Sequence, residues 1–198
     1  MQSVCVFCGS SFGDKPIYRE LAERLGRTLA NRGLTLVYGG GNVGLMGVVA
    51  DAALDAGGRV IGVIPQALVD WEVAHNGLTE LVVVQSMHER KARMAEASDA
   101  FIALPGGYGT FEEFCEVLTW SQLGLHRKPC GVLNVEGYYD PLLALFERAV
   151  QDRFLAAEQR DLVLADTDVN ALLDRVASYQ PVEIMKRFDR LRVGSVKT

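Results

Sequence analysis

Short apolar runs alternate along this chain with longer amphipathic segments, and this alternation constrains the fold more than any other feature. The apolar runs carry few polar residues, which is typical of strands that are covered on both faces of a sheet. Strands that alternate with helices predict a parallel sheet with right-handed crossovers. We therefore predict an α/β, Rossmann-like, doubly wound fold with a mainly parallel sheet and helices on both faces.

The predicted elements follow one another from the first residues to about residue 178. The predicted strands are Ser3–Cys8, Thr35–Tyr38, Arg59–Ile64, Glu80–Val84, Ala100–Leu104, Cys130–Asn134 and Asp161–Ala165. The predicted helices are Pro16–Arg32, Gly44–Ala56, Met87–Ala97, Thr110–Leu123, Tyr139–Asp152 and Val169–Ser178. No linker or repeat separates them, so we predict a single nucleotide-monophosphate-binding domain over 1–198, with a basic tail from about residue 181.

The composition excludes several classes of protein. Hydrophobic residues make up 49% of the 198 residues, which supports a full core and argues against disorder. The formal net charge of −5 disfavours an extended nucleic-acid surface. No apolar run approaches the roughly 18 residues of a membrane span, and the first residues resemble a strand rather than a secretory signal. We expect a cytoplasmic protein that binds neither nucleic acid nor membrane.

Cys5 and Cys8 have the C-x-x-C spacing that redox and zinc sites use. On a strand, however, residues three apart point to opposite faces of the sheet. Cys115 and Cys130 have no partner motif, and the three histidines are scattered. We therefore predict that the cysteines pack as small hydrophobic residues and that the protein holds no metal.

Three predicted strand ends carry glycine or small polar residues, at Gly9–Ser11, Gly39–Gly44 and Gly106–Thr110. In a parallel sheet these ends meet at one edge, where ligands bind. Gly39–Gly44 matches G-x-G-x-x-G, but the next strand ends without the acidic residue that would hold a ribose, which disfavours a nicotinamide site. The chain has no G-K-[S/T], which excludes a Walker-type loop.

The stretch Pro105–Glu113, P-G-G-Y-G-T-F-E-E, follows an apolar strand and opens a helix. Its glycines leave backbone N–H groups accessible, and the helix N-terminus adds the positive end of the helix dipole, so the stretch predicts a phosphate site. A capping box formed by Thr110 and Glu113 would explain those two residues but not the three glycines.

The helix that starts at this stretch has two apolar faces. The predicted core face consists of Phe111, Phe114, Cys115 and Leu118. Glu113 then falls on the second face with Val117 and Trp120, and we expect that face to meet a partner chain. This arrangement predicts a homodimer with the site near the interface.

Arg90 and Lys91 lie on an otherwise apolar stripe of the predicted helix Met87–Ala97. The simplest interpretation is that both side chains extend to solvent. Two adjacent cations on such a stripe favour an anionic partner instead, either a ligand phosphate or Glu113.

Met87–Lys91 (M-H-E-R-K) and Pro105–Glu113 (P-G-G-x-G-T-x-x-E) together resemble the LOG family of cytokinin riboside 5′-monophosphate phosphoribohydrolases. Some members of that family carry an older lysine decarboxylase label. The resemblance extends from 5–9 through 39–47 to 137–141. It implies hydrolysis of the N-glycosidic bond of an N6-modified adenosine 5′-monophosphate to the free base and ribose 5-phosphate. Related members act on AMP itself.

The resemblance implies that Arg90 and Glu113 are the catalytic residues. The substrate-binding residues that it implies are Glu72, Lys91, Gly106, Gly107, Tyr108, Gly109, Thr110, Phe111, Glu112 and Thr119. No cofactor is expected, and the expected partner is a nucleoside 5′-monophosphate. The alternatives are a nucleosidase acting mainly on plain AMP, a nucleotide-binding module without catalysis, and an interaction scaffold.

Overall fold

In the part of the chain that the structure describes, the strand–helix alternation folds into one parallel sheet of seven strands. The computed structural model describes residues 1–71 and 74–182. The strands are β1 (Ser3–Phe7), β2 (Thr35–Tyr38), β3 (Val60–Pro65), β4 (Glu80–Val84), β5 (Ala100–Ala103), β6 (Cys130–Leu133) and β7 (Val163–Asp166). They lie in the order β4-β3-β2-β1-β5-β6-β7, so the direction of winding reverses between β1 and β5. The predicted doubly wound α/β fold is confirmed, and ligands of such folds bind at the reversal.

Helices cover both faces of the sheet. They are α1 (Pro16–Asn31), α2 (Gly44–Asp55), α3 (Gln66–Asp70), α4 (Met87–Glu96), α5 (Tyr108–Gln122), α6 (Asp140–Gln151), α7 (Ala157–Arg160) and α8 (Val169–Ala177). A short 3-10 helix, Val135–Gly137, precedes α6. The sequence pattern missed α3 and α7 because helices of five and four residues are too short to show a helical period.

Side chains of β1 enter the core alternately on the two faces of the sheet. Val4, Val6 and Cys8 pack in the layer that contains α1, α2 and α8. Cys5 and Phe7 pack in the layer that contains α4 and α5. Cys5 and Cys8 therefore lie on opposite faces as predicted, and all four cysteines are free thiols.

Within residues 1–71 and 74–182, no three His, Cys, Asp or Glu side chains converge as a metal site would need. The same residues contain no helix that is both long and apolar enough to cross a membrane. Two sequence predictions, Glu72 as a substrate contact and most of the basic tail, fall outside the described residues.

Candidate active site

The three glycine turns meet at one edge of the sheet, beside the reversal between β1 and β5. The N–H of Gly9 donates a hydrogen bond to the carbonyl of Pro105 at 3.1 Å, and the N–H of Leu45 donates to the carbonyl of Gly9 at 3.0 Å. The turn after β1 thus connects the turn after β2 with the turn after β5. The structure confirms that these turns form one continuous surface.

Arg90 extends from α4 into this edge and is only 7% exposed. Its Nε donates to the carbonyl of Val63 in β3 at 3.1 Å, and one terminal nitrogen donates to the carbonyl of Gly39 at 3.3 Å. The other terminal nitrogen donates to Glu113 Oε1 at 2.8 Å. A buried cation is stable only when it is paired and hydrogen-bonded, and this guanidinium meets both conditions.

Glu113 lies in α5 and is 8% exposed. Burial raises the pKa of its carboxyl above the ordinary value, and the neighbouring Arg90 charge opposes that rise. A carboxylate that is desolvated, paired with one cation and situated at a ligand-binding edge is typical of an active site. Of the two anions that the sequence allowed for Arg90, the structure shows Glu113.

Gly39 makes the buried position of Arg90 possible. A Cβ atom on residue 39 would lie 1.8 Å from a terminal nitrogen of Arg90 and 2.9 Å from its Cζ. The glycine of this turn therefore provides space for a catalytic candidate. The sequence predicts that this turn lies at the ligand-binding edge and matches a dinucleotide motif only weakly; it does not predict the contact with Arg90.

The phosphate turn begins one residue after Pro105, and the helix α5 begins at Tyr108 with Gly107 as its N-cap. The capping-box alternative for Thr110 and Glu113 is wrong, because Thr110 lies inside the helix and the Glu113 carboxylate binds Arg90. Residues 107–109 are exposed, and a Cβ on Gly107 or Gly109 would meet no atom within 4 Å. The first turn of α5 therefore presents backbone N–H groups to open space, as an anion site requires.

Gly106 belongs to the packed side of the same turn. A Cβ there would lie 2.1 Å from Thr110 Oγ1 and 2.8 Å from the backbone nitrogen of Gly9. Thr110 is 3% exposed and packs against this glycine. Gly106 and Thr110 thus hold the turn against β1, whereas Gly107 and Gly109 face outward.

The buried face of α5 is rotated from the predicted one, with Phe114 buried on both. The side chains buried under the helix are Thr110, Glu113, Phe114, Val117 and Ser121. Cys115 and Leu118 are only half-buried, and Trp120 also packs partly against the core, so the predicted exposed stripe through Val117 and Trp120 is wrong. The helical period separates two apolar faces correctly. It assigns the face with Glu113 to the outside, because a carboxylate is buried only when a cation pairs with it, and the period does not show the pairing with Arg90.

The side chain of Lys91 points toward α5. Its Nζ donates to the carboxylates of Glu112 and, at 3.1 Å, Glu116, and its side chain is only 10% exposed. Lys91 and Glu112 are thus brought together beside the Arg90–Glu113 pair. Contact of either residue with a substrate stays a prediction.

The remaining predicted contacts are dispersed. Tyr108 is 94% exposed at the start of α5. The ring of Phe111 packs on Tyr138 and Tyr139, at centroid distances of 6.4 Å, instead of facing the opening. Thr119 is exposed, donates to the carbonyl of Cys115 at 2.8 Å, and lies about 16 Å along the helix from Tyr108 at 1.5 Å per residue. Thr119 is therefore not next to the phosphate turn of its own chain.

No prediction from the sequence covered two tyrosines, Tyr138 and Tyr139, whose hydroxyl groups bind backbone carbonyls near the turn. Tyr138 donates to the carbonyl of Gly106, and Tyr139 donates to the carbonyl of Leu104 at 2.5 Å. The only signal was the position of the G-Y-Y segment 137–139 in the last stretch that carries the family resemblance. That signal does not say what the hydroxyl groups bind.

The sequence matches known proteins over most of its length. The profile of a family described as "Possible lysine decarboxylase" matches residues 46–176. A probable cytokinin riboside 5′-monophosphate phosphoribohydrolase of Oryza sativa subsp. japonica is 52% identical over 176 residues, which cover 89% of this chain and 79% of the rice protein. The chain belongs to the LOG family. A LOG phosphoribohydrolase of Arabidopsis thaliana is 50% identical over 179 residues, which cover 90% of this chain and 78% of the Arabidopsis protein.

Solved structures share the fold of this LOG protein at lower identity. The molybdenum cofactor binding protein of Rippkaea orientalis superposes with a TM-score of 0.68 and 22% identity, over 90% of this chain and 97% of that one. At that identity the match supports the Rossmann-like fold alone.

Proposed function

We propose that this protein hydrolyses the N-glycosidic bond of N6-modified adenosine 5′-monophosphates, releasing the free base and ribose 5-phosphate. The observation that carries the proposal is the buried Arg90–Glu113 pair, 2.8 Å apart, beside the exposed first turn of α5. Relatives that are about half identical along most of their length are named for this reaction.

The reaction replaces one bond to the anomeric carbon by another. The bond from C1′ to the base nitrogen breaks and the base leaves with a proton, while a water oxygen bonds to C1′. Positive charge develops on the ribose ring as the base departs, and a fixed carboxylate beside it stabilises that charge and orients the water. Glu113 is assigned this role, and Arg90 keeps the Glu113 carboxylate ionised and oriented.

The phosphate anchors the substrate at a distance from the reacting bond. The N–H groups of Gly107 to Thr110, at the positive end of α5, are assigned to the 5′-phosphate. Binding energy from a remote group can lower the barrier at the reacting centre, so a substrate without phosphate should react poorly.

A mass-spectrometric product screen against a panel of nucleoside 5′-monophosphates and the matching nucleosides tests this proposal. We expect base and ribose 5-phosphate from the nucleotides and at most about a hundredth of that rate from the nucleosides. Equal rates on both would contradict phosphate anchoring. The variant Glu113→Gln should lose turnover while it still binds nucleotide. Retained turnover would remove Glu113 from the chemistry.

Two alternatives would give a different result in the same screen, and a third lacks a suitable lysine among the described residues of the site. A nucleosidase acting mainly on plain AMP would turn over AMP faster than N6-modified substrates. A nucleotide-binding module would bind without turnover, but such a module has no need for a buried carboxylate beside an anionic ligand. A pyridoxal phosphate-dependent decarboxylase needs a lysine free to form a Schiff base, whereas Lys91 is held by Glu112 and Glu116.

We further propose that the protein is a homodimer, with the site near the interface. Among the described residues, α6 has no fully buried side chain, and Leu145 on it is 62% exposed. Leu125 and Phe154 beside the ends of α5 and α6 are 70% and 80% exposed. A second copy that covers this surface would bring its own α5, and with it Thr119, close to the first copy. The cytoplasmic location expected from the sequence stays a prediction.

A further inference from the structure

Two adjacent tyrosines before α6 bind carbonyl groups near the phosphate turn, Tyr138 within the turn and Tyr139 on the strand residue before it. The Oη of Tyr138 donates to the carbonyl of Gly106, and the Oη of Tyr139 donates to the carbonyl of Leu104 at 2.5 Å. The two rings meet edge to face at 5.2 Å, and Phe111 stacks on Tyr138. The hydroxyl groups are therefore carried by rings that packing has already fixed.

A hydrogen bond that fixes the carbonyl of Gly106 also fixes the direction of the Gly107 N–H. The carbonyl of Gly106 and the N–H of Gly107 belong to one peptide unit, and the described chain contains no cis peptide bond. In a planar trans peptide, C=O and N–H point in opposite directions. The Tyr138 hydroxyl therefore directs the Gly107 N–H away from the aromatic cluster. Gly107 is exposed and has open space where a side chain would stand.

The peptide between Pro105 and Gly106 is fixed in the same way by the turn that follows β1. The N–H of Gly9 donates to the carbonyl of Pro105 at 3.1 Å, which fixes the direction of the Gly106 N–H. Two successive carbonyls of the turn are thus engaged by the protein. Fixing them leaves the ligand little reorganisation to impose on the turn, and such preorganisation strengthens binding.

We propose that Tyr138 is a positioning residue for phosphate binding: its hydroxyl sets the direction of the Gly107 N–H that donates to the 5′-phosphate. This inference rests on the proposed function of the turn. Tyr139 provides a matched control within the chain. It donates the same kind of hydrogen bond to the carbonyl of Leu104, but the next residue is Pro105, so that peptide has no N–H to aim.

The test compares Tyr138→Phe with Tyr139→Phe in the full chain. Each substitution removes one hydroxyl and keeps the ring, so both proteins should fold, which a thermal melt checks. Isothermal titration calorimetry gives the dissociation constant of ribose 5-phosphate, and glycine-specific ¹⁵N labelling follows the Gly107 amide during the titration. Turnover of the nucleotide is measured separately.

We expect Tyr138→Phe to weaken ribose 5-phosphate binding roughly fivefold or more, the effect of about one hydrogen bond, and to reduce the shift of the Gly107 amide on binding. Tyr139→Phe should lower the melting temperature but change the dissociation constant by less than about twofold. Equal weakening in both variants, or no weakening in Tyr138→Phe, would overturn the inference. If wild-type turnover persisted in either case, the proposed function would stand. Failure of the wild-type protein to bind ribose 5-phosphate would overturn the inference, and failure of the wild-type protein to turn over the nucleotide would overturn the proposed function.

Discussion

The substitution Gly39→Ala should disable the site, because the added methyl group would displace the Arg90 guanidinium. Gly39 does not have a positive φ, so alanine is allowed by the backbone and the effect is one of space. The new Cβ would lie 1.8 Å from a terminal nitrogen of Arg90, whereas ordinary contact begins at 3.4 Å. The guanidinium must therefore move by about 1.6 Å, the difference between these two distances.

A movement of that size cannot preserve the hydrogen bonds of Arg90. Its three bonds, to Val63, Gly39 and Glu113, measure 3.1, 3.3 and 2.8 Å. Misplacing a catalytic group by about 1 Å costs on the order of 100-fold in rate, so kcat/KM of Gly39→Ala should fall at least that far. Each lost hydrogen bond to the charged guanidinium should cost about 1.5–3 kcal/mol of unfolding free energy. Loss of all three bonds would cost about 4.5–9 kcal/mol, a large part of the roughly 5–15 kcal/mol that a domain has, so the kinetics are measured under conditions in which the urea melt shows Gly39→Ala to be folded.

Two assays check this reasoning: steady-state kinetics of Gly39→Ala, and urea unfolding of Gly39→Ala with and without Arg90→Ala. The three atoms nearest the new Cβ all belong to Arg90, the third at 3.5 Å. In the Arg90→Ala background the added methyl should therefore cost less than about 0.5 kcal/mol, a coupling that a double-mutant cycle measures directly. The reasoning is refuted if Gly39→Ala keeps more than about a tenth of wild-type kcat/KM, or if its stability cost is the same in both backgrounds.

Two further predictions concern the pH dependence of the site and the surface of α6. Burial raises the pKa of Glu113 above its ordinary value of 4.5, so the folded state binds this proton more tightly than the unfolded state does. The stability advantage of wild type over Glu113→Gln should be largest below pH 4.5 and should decline as pH rises through the raised pKa, by at most about 1.4 kcal/mol per pH unit. A difference that grew with pH in urea unfolding would contradict this sign. If the protein forms the proposed dimer, Leu145→Asp should convert it to a monomer in sedimentation equilibrium, because the substitution places a charge on the exposed apolar surface of α6, whereas Glu147→Gln on the same helix should not. A wild-type protein that sediments as a monomer would end the dimer proposal.

The strands and the longer helices could be predicted from the sequence more readily than the contacts of the site. Strand and helix periods are local, so the sheet and the longer helices follow from short windows of sequence. The partners of Arg90 are not local: Gly39, Val63 and Glu113 are 51, 27 and 23 residues away. The sequence therefore offered Glu113 or a phosphate as partner, and it gave no indication of the two carbonyls.

The helical period of α5 is another case in which a local pattern was predicted and a contact between distant residues was not. It separated the two apolar faces, but which of them faces the sheet depends on α4, which neutralises Glu113. The role of Tyr138 was also invisible, because a hydroxyl that binds a carbonyl 32 residues away leaves no local pattern.

The distances along the chain that separate the partners of Arg90 also bear on how the protein becomes active. Strands β2 and β3 lie on one side of the winding reversal, and β5 with α5 lies on the other. The guanidinium of Arg90 binds both sides at once, so the Arg90–Glu113 pair can form only when the two halves of the sheet have docked. A partly folded chain would have neither a buried cation nor an oriented carboxylate. Recovery of activity during refolding should therefore coincide with the last cooperative step, which makes turnover a sensitive probe of complete assembly.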